Sequence, residues 1–302
     1  MRLSGIPTQS AVQLWPRSGE LPFRYSHSQI RHIMHAFDLA DVSFEVHREE
    51  MIVVYSRGFE KRYPTNPVEN PDRVRLTAQE LSGYEFFEPA PASQEEIASV
   101  HTSGHIERVR MRGLYGAAAL AAGGAVAAAR IALREPAFGL IRPPGHHASS
   151  DHSWGMCFFN NIAVAVKAIR PHVRRVLILD IDLHFGDGTV SIFRWDPDVS
   201  VVNIGAIDIN FDYINLDSIG YIEQVKNALE FHEYDIIGVS AGFDTYRLDW
   251  GGMLDIDDYR KIGSLIRDAS EERCGGRRFA VLEGGYHQDL RYCIRSFVSG
   301  FE

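Results

Sequence analysis

The sequence predicts a single α/β domain with three layers, in which helices cover both faces of a mostly parallel β-sheet. Short apolar runs typical of strands recur at residues 138–141, 176–180, 199–204, 236–240 and 279–282. Helical stretches separate several of these runs, notably residues 161–169, 221–232 and 256–272. Strands that are apolar throughout and alternate with helices are typical of a parallel sheet buried on both faces.

Polar clusters come directly after four of these apolar runs. The clusters are RPPGHHA at residues 142–148, DLH at 182–184, SAGFD at 240–244 and EGGYH at 283–287. Ligands of parallel α/β sheets bind beyond the carboxyl ends of the strands. We therefore expect the four clusters to form one site at that edge of the sheet.

The chain before these strands divides near residue 51. Residues 1–50 show no clear apolar period apart from one helix at 28–39, and we treat them as an N-terminal extension of unknown role. The main domain, residues 51–302, opens with the β-branched strand MIVVYS. A loop rich in proline and asparagine at residues 63–74 then leads to helical regions at 75–82, 93–112 and 116–133.

Composition narrows the class of protein and of partner. The chain has 302 residues, 45% of them hydrophobic and 24% charged, which fits a globular protein. Its net charge of -9 argues against a nucleic-acid partner, since phosphate binding needs clustered lysine and arginine, and favours a cationic substrate. The alanine-rich helix is too weakly apolar to predict a membrane span. Three cysteines without zinc-finger spacing and an opening without an apolar leader predict a cytoplasmic protein. A homo-oligomer is compatible with the sequence.

Residues 177–189, LILDIDLHFGDGT, predict a metal site at the end of a buried strand. In an extended segment the side chains at i and i+2 point the same way, so Asp180, Asp182 and His184 share one side. Asp182, His184 and Asp244 make a set of two carboxylates and one imidazole with room for water and substrate, as a hydrolytic metal site requires. Zn²⁺ accepts such mixed ligands and is our first choice, although Fe²⁺ or Co²⁺ would tolerate the same set.

The tandem histidines His146 and His147 predict acid–base chemistry beside that metal. Asp180 and Asp187 lie on the metal-bearing segment and are free to orient one imidazole each, which is the pairing that a general base requires. Tyr286 follows two glycines after a strand, so its phenol can reach into the site and stabilise an oxyanion opposite the metal. A narrow apolar slot would then be lined by Gly155, Gly284, Gly285, Phe158 and Phe159.

Taken together, these motifs resemble the histone deacetylase and acetylpolyamine amidohydrolase superfamily. RPPGHHA, GMCFFNNIAVA, DIDLHFGDGT, SAGFD and LEGGY occur in the family's order, and the resemblance extends from about residue 51 to the C-terminus. It implies an arginase/deacetylase fold with an eight-stranded parallel sheet. It also implies a metal-dependent deacetylase that removes the acetyl group from an N-acetylated amine, either an acetylpolyamine or an acetyl-lysine side chain in a peptide.

The resemblance further implies a role for each site residue. Zinc would be held by Asp182, His184 and Asp244. His147, paired with Asp187, would be the general base and then the acid, and His146, paired with Asp180, would give electrostatic support. Tyr286 would polarise the acetyl carbonyl. The substrate-binding residues would be Gly155, which accepts an amide hydrogen bond, Met156, which stands where an aromatic residue commonly lines the acyl-lysine tunnel, and Phe158.

Departures from the family pattern and the surface charge leave four further points. The residues VVNIG at 201–205 place Asn203 where relatives carry a serine. The sequence therefore does not decide whether the family's structural K⁺ site near Asp180 is retained. Gly186 and Tyr246 replace the carboxylates that two-manganese ureohydrolases of this fold use for a second metal, which argues for one metal. A non-catalytic acetyl-group binder is the alternative to an enzyme. Acidic residues at 208, 212 and 217 would form a rim that attracts a polycation.

Overall fold

The structure of the protein is a computed structural model that describes residues 51–205 and 216–302. The N-terminal extension predicted for residues 1–50 lies outside the described residues. So do Asp208 and Asp212 of the predicted acidic rim. The third acidic residue of that rim, Asp217, is described, and its side chain accepts a hydrogen bond of 2.8 Å from the backbone N–H of Gly220. It caps the N-terminus of a helix.

The described residues contain a seven-stranded sheet in the order β2-β1-β3-β7-β6-β4-β5. Every strand pair in it is parallel. The strands are β1 Ile52–Val54, β2 Glu85–Phe87, β3 Ala137–Gly139, β4 Val176–Asp180, β5 Val199–Asn203, β6 Ile236–Ala241 and β7 Arg278–Leu282. The parallel α/β fold predicted from the sequence is confirmed, and the described part of the chain has one strand fewer than the eight expected.

Helices connect the strands and cover the sheet. They are a 3-10 helix at Arg57–Glu60 and the α-helices α1 Asp72–Glu80, α2 Gln94–Ala98, α3 Ser103–Met111, α4 Tyr115–Ile131, α5 Asn161–Ile169, α6 Asp187–Phe193, α7 Ser218–Phe231, α8 Ile256–Cys274 and α9 Leu290–Phe301. Over residues 51–205 and 216–302, none of these helices combines the length and apolar character needed to cross a membrane.

The helical region predicted at residues 93–112 is two helices, because each has its own N-terminal cap. The Ser93 hydroxyl accepts from the Glu96 N–H, and the Glu96 carboxylate accepts in return from the Ser93 N–H. The Thr102 hydroxyl accepts from the His105 N–H at 3.2 Å. A side chain that binds the free N–H groups of a first turn fixes where a helix starts.

The register of the central strands explains why the polar clusters meet. Asp180 at the end of β4 lies level with Ser240 of β6 and with Asn203 of β5. Ser240 in turn lies level with Val281 of β7. Because these parallel strands end together, the segments that follow them leave the sheet at one edge, and the side chains of those segments are neighbours in space.

A buried histidine, His101, supports this edge from the helical layer. It follows α2, is 3% exposed and stacks beside His105 with ring centroids 5.0 Å apart. Its Nε2 accepts a hydrogen bond of 2.9 Å from the N–H of Asn160, the residue that caps α5. The Asn160 amide donates to the Ala148 carbonyl at 2.9 Å, which holds the end of the RPPGHHA segment. Burial, with a smaller contribution from His105, lowers the pKa of His101 to about 3.

We predict that His101 makes the fold less stable as the pH falls below about 6.5. The unfolded chain binds a proton to this imidazole near pH 6.5, whereas the folded chain does so only near pH 3. The stabilising contribution is therefore present above pH 6.5 and is lost as the pH falls towards 3. Between pH 7 and pH 5 it amounts to about 2 kcal/mol. Urea unfolding of the protein and of His101→Gln at both pH values measures it, and an equal pH dependence of the two proteins would contradict this origin.

Candidate active site

Three ligand atoms for a metal converge at the carboxyl edge of the sheet. Asp182 and His184 lie on the segment after β4, and Asp244 lies on the segment after β6. One ligand atom from each residue lies within 4.8 Å of the other two. The His184 Nδ1 is 3.1 Å from the Asp182 Oδ1 and 3.1 Å from the Asp244 Oδ2. These distances fit three atoms that share one small cation.

Backbone N–H groups orient both carboxylates, and the Asp182 Oδ1 also accepts from the His184 N–H at 2.9 Å. The Asp182 Oδ2 accepts from the Gly284 N–H at 2.8 Å, and the Asp244 Oδ1 accepts from the Leu183 N–H at 2.9 Å. The Asp244 Oδ2 is buried and accepts no well-aligned hydrogen bond, although the His184 Nδ1 lies 3.1 Å away. A buried carboxylate oxygen without a well-aligned donor is costly unless a cation binds it. The donor set of Asp182, His184 and Asp244 therefore fits a divalent metal.

The two carboxylates of the site favour positive charge beside them. Burial disfavours the charged form of His184, but contacts with the carboxylates of Asp182 and Asp244 outweigh burial and raise its pKa to about 10. Burial and the charge of Asp182 raise the pKa of Asp244 to about 6. Gly284 completes the enclosure, because a Cβ there would lie 2.5 Å from the Asp182 Oδ2 and 2.7 Å from the Asp244 Oδ2.

Two histidine–aspartate pairs stand beside the metal ligands. The His146 Nδ1 is 3.0 Å from the Asp180 Oδ2, and the His147 Nδ1 is 2.7 Å from the Asp187 Oδ1. The two imidazole centroids are 4.0 Å apart. Asp187 accepts a hydrogen bond from the protonated Nδ1 of His147. The Nε2 of a neutral His147 therefore carries a lone pair that can accept another proton. The structure thus brings together the two pairs that the resemblance implied.

The two histidines differ in charge. Burial disfavours the imidazolium of His146, but the carboxylates of Asp180 and Asp182 outweigh burial and raise its pKa well above the usual value. Burial and the neighbouring charge of His146 lower the pKa of His147 to about 4. At neutral pH one histidine is charged and the other is neutral. This division suits one electrostatic partner and one base.

A buried glutamate, Glu283, binds the backbone of the segment that carries His146 and His147. Its Oε2 accepts from the backbone N–H groups of Gly145 and His146 at 2.6 and 3.1 Å. His146, Cys157 and Glu283 also bring ligand atoms within 4.8 Å of one another. Burial raises the pKa of the Cys157 thiol well above its usual value, so this sulfur stays protonated and is a poor metal ligand. We interpret Glu283 as a support of the catalytic loop.

Tyr286 lies on the loop after β7, next to Gly284 and Gly285. Burial raises the pKa of its phenol well above the usual value, so the group remains a hydrogen-bond donor at any physiological pH. The ring is stacked on Trp250, with centroids 4.5 Å apart and planes at 28°. Trp250 also meets His184 edge-on at 5.8 Å, so one indole contacts both Tyr286 and His184.

Of the residues predicted to bind substrate or to line the slot, Gly155 lies beside His147, whereas Phe158 and Phe159 are buried. Gly155 lies directly against the ring of His147, because a Cβ there would be 2.4 Å from the His147 Cδ2, and its φ of 58° also favours glycine. Met156 adjoins it with a φ of 66°. Phe158 is buried, with its ring edge-on to Tyr63 at 6.0 Å. Phe159 packs against the buried histidines His101 and His105 instead of lining a slot.

Hydrogen bonds hold the segment around Asp180 and Asn203, where the family's structural K⁺ site would lie. The Asn203 Oδ1 accepts from the Gly186 N–H at 2.7 Å. The Asp180 Oδ1 accepts from the Asp182 N–H at 3.1 Å. Asn203 thus closes the turn between the metal-bearing segment and α6.

Sequence reasoning missed the two tryptophans of the site. Trp154 is 45% exposed and stacks on His147 at 3.9 Å, and its indole N–H donates to the Asp187 Oδ2 at 2.9 Å. Trp250 is 51% exposed. Trp154 contacts His147 and Trp250 contacts His184, so each half-exposed indole borders a histidine of the site. The signal was available, since Trp154 immediately precedes Gly155 and Trp250 follows Asp244 by six residues.

Comparisons with known proteins agree with this geometry. The histone deacetylase domain family matches residues 110–211. A probable deacetylase of Methanothermobacter thermautotrophicus is 33% identical over 292 residues, covering 78% of this chain and 86% of the relative. An acetylpolyamine amidohydrolase of Burkholderia pseudomallei is 35% identical over 198 residues, covering 55% of this chain and 56% of that protein.

A solved structure gives the same fold. The crystal structure of acetylpolyamine aminohydrolase from Burkholderia pseudomallei aligns with a TM-score of 0.71 at 24% identity, and the alignment covers 83% of this chain and 98% of the other. The sequence relationship spans most of a relative that is one-third identical, and the resemblance stated from the motifs is confirmed. The chain belongs to the histone deacetylase family, whose members include deacetylases and amidohydrolases.

Proposed function

We propose that the protein is a zinc-dependent deacetylase that hydrolyses the amide bond of an N-acetylated amine. The observation that carries the proposal is the placement of a neutral, aspartate-paired His147 beside the three convergent ligand atoms of Asp182, His184 and Asp244. The rings of His147 and His184 meet edge-on with centroids 5.9 Å apart. A base next to a metal, with a phenol donor nearby, is the set of groups that amide hydrolysis requires.

Asp182, His184 and Asp244 would hold the metal. When bound, zinc supplies a Lewis acid that polarises the acetyl carbonyl and makes a water molecule more acidic.

The chain's own residues then perform the proton transfers. His147 takes a proton from the attacking water at Nε2, while Asp187 on Nδ1 stabilises the resulting imidazolium. Tyr286 donates its phenol hydrogen bond to the oxyanion of the tetrahedral intermediate. His147 then gives the proton to the amine nitrogen as the C–N bond breaks, so the products are acetate and a free amine. His146 stays charged beside Asp180 and adds positive potential where negative charge develops.

For the substrate we propose a small cationic acetylated amine, with an acetylpolyamine ahead of an acetyl-lysine peptide. The similarity to an acetylpolyamine amidohydrolase supports this class, as does the net charge of -9. The half-exposed faces of Trp154 and Trp250 would also attract an alkylammonium chain that passes between them. The three cysteines are free and buried, which supports the reducing cytoplasm as the compartment.

We predict that metal content depends on the Asp182, His184 and Asp244 set alone. Asp244→Asn removes the negative charge at Oδ2, so zinc per chain should fall from about one towards zero, and deacetylation should fall with it. Elemental analysis of purified protein measures the metal. Cys157→Ser, in the other group of convergent ligands, is the matched variant and should keep its zinc. Loss of zinc in that variant instead would move the metal to the second group.

We predict that Tyr286→Phe lowers kcat on the order of 10²- to 10³-fold, because it removes one donor to the oxyanion. KM should change little, since the hydrogen bond forms mainly in the transition state. Steady-state kinetics on an acetylated amine, together with zinc content, provides the measurement. Tyr292→Phe, on α9, controls for the loss of a phenol elsewhere. Full turnover by Tyr286→Phe would remove Tyr286 from the mechanism.

We predict that kcat/KM is at least about tenfold higher for acetylated putrescine or spermidine than for a neutral acetylated alkylamine of equal length. The advantage should shrink as salt rises from about 0.05 to 0.5 M, because ions screen attraction between separated charges. Acetate release from each substrate gives the rates. Equal rates at low salt would exclude selection by charge, and faster turnover of acetyl-lysine peptides would favour a protein substrate.

A further inference from the structure

The loop that carries Tyr286 is fastened by a carboxylate outside the catalytic set. The Asp249 Oδ2 accepts from the backbone N–H of Tyr286 at 2.6 Å and from that of His287 at 2.8 Å. The Asp249 Oδ1 accepts from the Trp250 N–H at 2.8 Å. Bonds from N–H groups to an ionised carboxylate are about twice as strong as those between neutral groups. Asp249 therefore joins two loops that are far apart in the sequence.

The turn that carries Asp249 starts at a metal ligand. The Gly251 N–H donates to the Asp244 carbonyl at 2.7 Å, and the Asp249 N–H donates to the Tyr246 carbonyl at 2.9 Å. These bonds close the turn over residues 244–251. Because Asp249 binds the Tyr286 loop from this turn, it sets the position of the phenol relative to Asp244.

The tyrosine ring is held on both faces. Trp250 stacks on one face at 4.5 Å. The Arg73 guanidinium lies over the ring at 4.8 Å, and since one face cannot hold both groups, it occupies the other. Arg73 also donates from Nε to the Gly285 carbonyl at 2.7 Å and from Nη2 to the Glu283 carbonyl. Two carbonyls of the loop are thus bound from one side and two N–H groups from the other.

The loop needs such fastening because glycines precede the tyrosine. Gly285 has a φ of 113°, a conformation open mainly to glycine. Glycine pairs are flexible, so without external contacts the backbone could turn the phenol away from the site. Within the described part of the chain, no lysine or arginine pairs with Asp249, and its contacts are the three backbone N–H groups.

We propose that Asp249 is a positioning residue that holds Tyr286 in its catalytic orientation and couples it to the metal-ligand turn. Trp250 supports the ring as part of the same device. The expected effect on kcat rests on the proposed function. The attachment of the Tyr286 loop to Asp249 does not, because it is a property of the structure. The two parts are therefore measured separately.

Hydrogen exchange tests the fastening without any activity. In Asp249→Ala the amides of Tyr286 and His287 lose their acceptor, so the peptide that spans residues 283–289 should exchange at least about tenfold faster. Asp249→Asn keeps an amide oxygen as acceptor and should lie nearer to the unaltered protein. Asp268→Ala, an exposed aspartate on α8, should leave this peptide unchanged. Unchanged exchange in Asp249→Ala would overturn the proposal, even if the protein proved not to be a deacetylase.

A double-variant cycle tests the coupling to catalysis. Asp249→Ala should lower kcat on the order of 10- to 100-fold with little change in KM and in zinc content, because the phenol is misplaced. Asp249→Asn should restore a large part of that loss. In a Tyr286→Phe background, Asp249→Ala should cost less than about twofold, since the group it positions is already absent. Additive losses in the double variant would show that Asp249 acts independently of Tyr286 and would overturn the proposal.

Trp250→Ala provides a second variant should Asp249→Ala unfold. It should lower kcat in the same direction and lose that effect in the Tyr286→Phe background. Trp195→Ala is its matched control, because Trp195 is the most exposed tryptophan of residues 51–205 and 216–302. If Trp250→Ala altered neither the exchange of residues 283–289 nor kcat, the positioning role would be excluded. A protein with no deacetylase activity and faster loop exchange in Asp249→Ala would instead reject only the proposed function.

Discussion

The site depends on four carboxylates that are buried together at one edge of the sheet. Asp180, Asp182, Asp244 and Glu283 are each at most 1% exposed. Like charges in a region of low dielectric repel one another and lose their hydration, so such a group is stable only if donors and cations surround it. Burial raises the pKa values of Asp180, Asp244 and Glu283. For Asp182 burial acts in the same direction, but contacts with His146 and His184 outweigh it and lower the pKa.

The protein meets the constraint with backbone N–H groups and imidazoles, and each compensating contact also performs a task. The Gly284 N–H orients Asp182, the Leu183 N–H orients Asp244, and Glu283 accepts from the backbone of the histidine segment. The carboxylates around His146 raise its pKa, and burial together with the charge of His146 lowers the pKa of His147. The oxygen of Asp244 that accepts no well-aligned hydrogen bond marks where a cation is needed.

The sequence predicted the parts of this arrangement that depend on strand ends. Apolar runs followed by Asp, His and Tyr predicted a parallel sheet, its functional edge and the residues that meet there, because parallel strands end together. The number of strands and the positions where helices break were harder to predict from the sequence. Ser93 and Thr102 are strong caps, yet without geometry a run from 93 to 112 reads as one helix. Phe159 packs against His101 in the core, the usual place of such aromatic residues, and this burial depends on helix packing that no local pattern encodes.

Contacts between loops were beyond prediction for a physical reason. Asp249 binds N–H groups 37 and 38 residues away, and Arg73 binds carbonyls more than 200 residues away. Every residue except proline has the same backbone N–H group. A side chain that binds such a group therefore has no recognisable partner residue in the sequence. Trp154 differs, since it contacts a side-chain oxygen of Asp187 and the ring of His147. Both kinds of contact join two catalytic segments, which lets short loops with glycines keep a fixed geometry. Rigidity at this site is thus supplied from outside the catalytic residues, by the groups that connect one strand end to the next.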